Sequence, residues 1–228
     1  GRPVAESVEE MAALYLEAVR SVQPQGPYLL GGWSMGGVVA YEMARRLREA
    51  GEAVDLLALV DAHVPGLTKP STDYTPQARA RIAFAHATAS AFGQTPTLTD
   101  DALARGDDNA MLGALLEEGL RARILDTQSG PAQLRALFRV FQANLLALEH
   151  YVPQPYDGTA LLLSASESAP LPRHRGWEGL VRGGLEVLDV PGSHHALMQD
   201  PHLEPLVERL REALARVSVI DPRESTGS

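Results

Sequence analysis

An α/β protein built on a mostly parallel sheet with flanking helices and a helical insertion is what this sequence predicts. Three observations predict it. Short apolar runs of strand length alternate with longer segments of helical period. At 28–50 a strand, a glycine-rich turn and a helix follow one another without a spacer. Between the second and third apolar runs, 66–155 holds helical patterns and no convincing strand, which is too long for a plain crossover.

The elements follow in chain order. Ser7 and Glu10 have capping-box spacing, and Met11, Leu14, Tyr15, Ala18 and Val22 recur at helical intervals. Pro24, Gly26 and Pro27 break this helix, and 28–30 is a buried strand too short to be helical. Residues 35–50 turn helical, with Val38, Val39, Met43 and Leu47 on one face and Gly51 as the stop. Further strands are expected at 54–60, closed by Asp61, at 159–163 and at 185–190. The insertion is expected to carry helices at 76–92, 109–125 and 131–151. The last would set Leu134, Leu137, Phe138, Phe141, Leu145 and Leu148 on one side, and a lid is the natural role of the whole. Asp200 and Pro201 are placed to cap and open a final helix with Leu203, Leu206, Val207, Leu210 and Leu214, leaving 217–228 as a loose tail.

At 228 residues and 45% hydrophobic content the chain can bury one sizeable core, here assigned to a single domain at 1–216 with the insertion at about 66–155. No cysteine is present, so disulfides and thiolate metal sites are excluded. The net charge of -9 argues against nucleic acid, whose phosphates need clustered Lys and Arg. No apolar run reaches membrane-spanning length and no charged-then-apolar leader precedes the first helix, so a cytoplasmic chain acting on a small molecule or a protein is expected.

Gly32-Trp33-Ser34-Met35-Gly36 is a G-x-S-x-G pentapeptide at the junction of strand and helix. A turn this tight crowds its neighbours, and glycines at 32 and 36 are expected to relieve the crowding. It would raise the Ser34 hydroxyl above the sheet and aim the Met35 N–H and the helix dipole at a developing oxyanion. The segment lacks the Gly-Lys-Ser/Thr of a phosphate loop, and Trp33 and Met35 stand where a dinucleotide fingerprint needs small residues.

A serine needs a base, and seven histidines are available. His194 lies in Pro191-Gly192-Ser193-His194, directly after the fourth strand, at the edge where sites of open parallel sheets assemble. Its neighbour His195 stays open on spacing alone. His63, His86, His150, His174 and His202 are read as solvated or packing residues, and His194, His195 and His202 match no zinc spacing. The acid that orients the imidazole is Asp61 or Glu167, since each follows a strand on the same edge; a cap or turn is Asp61's non-catalytic alternative.

The run Gly31 to Ala44, together with Leu59-Val60-Asp61 and Pro191-Gly192-Ser193-His194, resembles the thioesterase domains of nonribosomal peptide and polyketide synthases, of the α/β-hydrolase fold. The stretch NLLALEHYVPQPYDG from Asn144 to Gly158 is similar to the family's junction between lid and third strand. The likeness runs from about Pro3 to Ala215. It implies that His194 is the base and that the acid follows the strand after the nucleophile, which maps onto Asp61 rather than Glu167. It further implies an acyl or peptidyl thioester on the phosphopantetheine arm of a carrier protein, with no cofactor of the domain's own. Arg79, Arg81, Arg121, Arg123, Arg135 and Arg139 could meet an acidic carrier, although a solvated helix face explains them as well. Family members begin with further strands that supply a second oxyanion donor, and nothing here corresponds to them, so N-terminal strands are expected to be missing. Two alternatives are a stand-alone editing thioesterase or carboxylesterase, and a non-catalytic binding module on the same scaffold. The intact set of Ser34, Asp61 and His194 speaks against the second.

Overall fold

Four strands, β1 (Tyr28–Trp33), β2 (Val54–Val60), β3 (Ala160–Ala165) and β4 (Leu185–Val190), form one parallel sheet in that spatial order. The computed structural model describes residues 5–67, 73–168 and 171–218. It resolves into two units, a sheet unit (7–67 and 151–218) and a helical unit made of the insertion.

In the sheet unit every residue of β3 is buried, as expected of an inner parallel strand covered on both faces. β1 alternates instead: Tyr28 and Leu30 are buried while Leu29, on this edge among the described strands, is 50% exposed. β1 is also longer than predicted, because Gly31 to Trp33 pair in register with Ala58 to Val60 and carry the strand to the serine itself. α1 (Val8–Val22) is capped as expected, the Ser7 hydroxyl accepting from the Glu10 N–H at 3.1 Å. Its buried face is Val8, Met11, Ala12 and Leu16, whereas Leu14, Tyr15, Ala18 and Val22 are exposed. The predicted stripe was rotated, because the helix packs on α2 (Met35–Glu49) along a narrower band than its apolar content allows.

The last helix, α7 (Leu203–Ser218), covers one face of the sheet, bringing Leu206 and Ala213 against Val60, Leu161, Leu163 and Val190. It begins two residues later than expected. The Gln199 carbonyl accepts from both His202 and Leu203, so Asp200 and Pro201 sit in the turn before the helix rather than in its cap and first turn. Residues 217 and 218 belong to this helix rather than to a loose tail, and 219–228 lie outside the described residues. Among the described residues no helix is long and apolar enough to cross a membrane.

The helical unit contains α3 (Pro76–Ala91), α4 (Asp100–Arg105), α5 (Asp108–Arg121) and α6 (Gly130–His150). Thr75, Thr99 and Asp107 cap the first three, each accepting from the backbone N–H three residues on. Phe84, Leu103, Met111, Leu115, Leu134 and Phe138 give the unit a core of its own, with the Phe84 and Phe138 rings 5.0 Å apart. The sequence missed α4 because six residues with one buried leucine show no period. Leu137, predicted to be inward, is 56% exposed, and Ala147 is the buried residue of the last turn. The unit ends at His150, not 155; from Tyr151 the chain rejoins the sheet unit, where the Tyr151 hydroxyl donates to buried Glu42 at 2.9 Å.

Candidate active site

Ser34 is the single residue between β1 and α2. Its φ of 55° and ψ of -125° lie where non-glycine residues are strained. Two backbone hydrogen bonds fix the bend: the Ser34 N–H donates to the Val60 carbonyl at 2.9 Å, and the Gly37 N–H to the Ser34 carbonyl at 3.0 Å. Gly32 behaves as predicted, since a Cβ there would stand 2.2 Å from the carbonyl carbon and oxygen of Gly36. Gly36 does not, because a Cβ there meets nothing within 4 Å. The second glycine that the packing demands is Gly37, whose Cβ would lie 2.6 Å from that of Ala62. Gly32→Ala is therefore expected to destabilise the protein by about 3 kcal/mol, because backbone rather than a movable side chain blocks the added methyl. Chemical denaturation of the two proteins measures this directly.

The Ser34 hydroxyl lies 3.0 Å from Nε2 of His194, and Nδ1 of the same ring lies 2.7 Å from Oδ2 of Asp61. An ionised carboxylate only accepts, so Nδ1 carries the hydrogen and Nε2 is left to take the serine's proton. The structure thus brings Ser34, His194 and Asp61 together, and selects His194 over His195 and Asp61 over Glu167 as the hydrogen-bonded members. Glu167 is held at its backbone, its N–H donating to the Gly192 carbonyl at 3.0 Å. Met35 is the first residue of α2, so its N–H is among the donors a helix leaves without an internal acceptor.

Asp61 follows β2 directly, with its N–H donating to the Leu163 carbonyl at 2.7 Å and its φ at 43°. Burial would raise its pKa. The hydrogen bonds from His194 and from the Ala165 N–H (3.0 Å), joined by the charge of Arg175, outweigh burial and hold the carboxyl below its ordinary value. Ser168 adds a hydroxyl at 3.1 Å. His194 is steadied by Trp33, a residue whose bulk the sequence used only against a dinucleotide fingerprint, with no role assigned at the site. The two rings stack with centroids 4.9 Å apart and planes 27° from parallel, and the indole N–H donates to the His194 carbonyl at 3.2 Å. His195 stands edge-on to both rings.

Other histidines fall elsewhere. His86 pairs with Asp100, His150 reaches the Leu146 carbonyl, His174 lies beside Glu178, and the ring of His202 packs where a Cβ on Gly192 would be. His63 follows Asp61 closely in sequence; desolvation, then the proximity of His194, lowers its pKa against the pull of Asp61. Of the arginines considered for a carrier surface, Arg79 pairs with Glu149, while Arg81 binds Asp108 and two carbonyls at the end of α4.

A family model described as a thioesterase domain matches residues 1–214. Over 223 residues the chain is 35% identical to the non-reducing polyketide synthase atnG of Arthrinium sp., an alignment covering 93% of this chain and 10% of the synthase. It is 26% identical over 231 residues to chondramide synthase cmdD of Chondromyces crocatus, covering 96% of this chain and 6% of that protein. The chain thus spans a tenth or less of the length of these relatives. Among solved structures, the four-domain nonribosomal peptide synthetase holo-AB3403, bound to AMP and glycine, shares 29% identity at a TM-score of 0.76 over 98% of this chain and 16% of that one. A covalent complex of the NocB thioesterase domain with a fluorophosphonate nocardicin G analogue shares 28% identity at a TM-score of 0.63, over 91% of this chain and 75% of that one. The family model spans nearly the whole chain, and the strained serine stands where a strand meets a helix on a parallel sheet: the chain belongs to the thioesterase domain family, whose members are serine-hydrolase-type thioesterases.

Proposed function

We propose that Ser34, His194 and Asp61 are the catalytic triad of this domain, and that it releases an acyl or peptidyl chain held as a thioester on the phosphopantetheine arm of a carrier protein. The observation that carries this reading is the pair of hydrogen bonds at 3.0 Å and 2.7 Å that join the three side chains in series. His194 takes the hydroxyl proton as the Ser34 oxygen bonds to the thioester carbonyl carbon, and Asp61 stabilises the imidazolium that forms. The negative charge on the carbonyl oxygen is met by the Met35 N–H and the positive end of α2. Collapse breaks the carbon–sulfur bond, His194 returns its proton to the departing thiolate, and an acyl-serine remains.

A second nucleophile then attacks the acyl-serine, with His194 again the base; collapse breaks the bond between the acyl carbon and the Ser34 oxygen, and His194 returns the proton to that oxygen. Water yields a free acid; a hydroxyl or amine of the chain itself yields a ring, and which prevails depends on how well the site excludes water. The helical unit is assigned the role of lid, because it is inserted in the chain between β2, which Asp61 follows, and β3. The carrier is supported by the synthases of which the relatives are parts. The domain needs no cofactor of its own in this scheme, and its net charge of -9 and lack of cysteine suit a cytoplasmic setting without nucleic acid.

The test compares one acyl group presented on a carrier protein, on free pantetheine and as an alkyl oxoester. The expected result is faster turnover of the thioesters and a lower KM for the carrier-borne one. Preference for the oxoester with no effect of the carrier would replace this reading with that of a carboxylesterase.

A further inference from the structure

The scheme above leaves Arg175 unused, yet it is the one buried basic side chain among the described residues, its side chain only 5% exposed. Its guanidinium Nη2 lies 2.9 Å from Oδ1 of Asp61, the carboxylate oxygen that His194 does not engage. The same nitrogen donates to the Ala165 carbonyl at 2.9 Å, and Nε donates to the Ser164 hydroxyl at 3.1 Å. The group is therefore anchored to the end of β3 while it faces the acid at the end of β2. Its backbone is held as firmly. The Arg175 φ is 51°, its N–H donates to the Pro172 carbonyl at 2.8 Å, and its own carbonyl accepts from Val64 at 2.9 Å. Two residues on, the buried Trp177 indole donates to the Ala62 carbonyl at 2.9 Å. The segment that carries Arg175 thus grips 61–64 at both ends, a strained conformation that only such surroundings maintain.

We infer that Arg175 is a positioning residue for the triad: anchored to the end of β3, it holds the Asp61 carboxylate aligned behind His194 and, as a fixed cation, opposes addition of a proton to the pair. The inference rests on the triad reading given above. A buried carboxylate facing a neutral imidazole would otherwise be driven toward its protonated form. A cation 2.9 Å away opposes this. It equally opposes addition of a proton anywhere on the Asp61–His194 pair, so the sign of its effect does not depend on which of the two the proton occupies. Other groups facing the pair are His63 and His195, both titratable, and the hydroxyls of Ser34 and Ser168; Arg175 is the permanent cation among them.

The experiment follows the rate of fluorophosphonate labelling against pH for wild type, Arg175→Met, Arg175→Lys, Ser164→Ala and Asp61→Asn. Loss of the cation should move the acid limb of Arg175→Met upward by about one pH unit, since proton binding to the pair is no longer opposed. Arg175→Lys, which keeps a charge, should hold the limb near its wild-type position even if the rate falls. Ser164→Ala removes one anchor of the guanidinium without adding volume, and should move the limb in the same direction by a few tenths of a unit, about the effect of a loosened contact. This variant serves where Arg175→Met does not fold. Coincident limbs in every folded variant, with only rate or stability reduced, would mean that Arg175 merely packs, and would overturn the inference. The Asp61→Asn arm separates this from failure of the triad itself: labelling of that variant at close to the wild-type rate would remove the acid from the mechanism and leave Arg175 nothing to position.

Discussion

Ser34→Ala is expected to lower thioester turnover by at least about 10⁴-fold while leaving stability close to that of the wild type, measured as kcat/KM on an acyl-pantetheine and as the denaturation midpoint. The size follows from the chemistry. The hydroxyl supplies the bond-forming atom, and without it the imidazole and the helix N-terminus can at best assist water directly. Stability should change little because the Ser34 hydroxyl, only partly buried, has His194 as its described hydrogen-bond partner, and because alanine leaves the glycine-lined bend undisturbed. The strain at φ 55° is carried by backbone that any non-glycine residue shares, so it is not relieved by the change.

Asp61→Asn should cost about 10³- to 10⁴-fold in the same assay, with Glu167→Gln close to wild type. Asparagine can donate to Nδ1, which would place the histidine's hydrogen on Nε2, where it faces the serine and cannot accept its proton. The change also leaves the buried Arg175 guanidinium without its counter-charge, so a loss of stability of about 3 kcal/mol or more accompanies the loss of rate. The two losses are separable: activity should fall at temperatures where circular dichroism still reports a folded chain.

The serine was legible because three constraints coincide in five residues: a strand that ends, a helix that starts, and glycine where the turn crowds itself. Even there the residue pattern named Gly36 where packing requires Gly37, since a motif records which positions are small and not which atoms approach them. The two carboxyls were indistinguishable on spacing, as both follow parallel strands at one edge. What separates them is the third dimension: Asp61 lies behind the ring of His194, while Glu167 has moved on to bind the Gly192 carbonyl through its backbone. The resemblance to a family was the main ground for Asp61 beforehand, beside its place directly at the close of its strand. His194 and His195 are adjacent and chemically alike, and the Trp33 ring that holds the first against the site comes from a strand far away in sequence.

Arg175 was invisible for a different reason. It lies in an irregular loop with no period, beside Arg173, and a lone arginine in such a loop reads as solvated. Likewise α1 offered more apolar positions than its contact surface uses, so periodicity found the helix but not which stripe faces inward. The inner strands were the easiest elements, because a strand covered on both faces has no polar side to confuse the pattern.

The most direct test of the account is where a fluorophosphonate attaches. The wild-type protein, treated with the probe near neutral pH and digested, should carry a single adduct on the peptide containing Ser34, and Ser34→Ala should carry none. An unlabelled wild type, or an adduct mapped to any other residue, would contradict the claim that His194 and Asp61 make this serine a nucleophile.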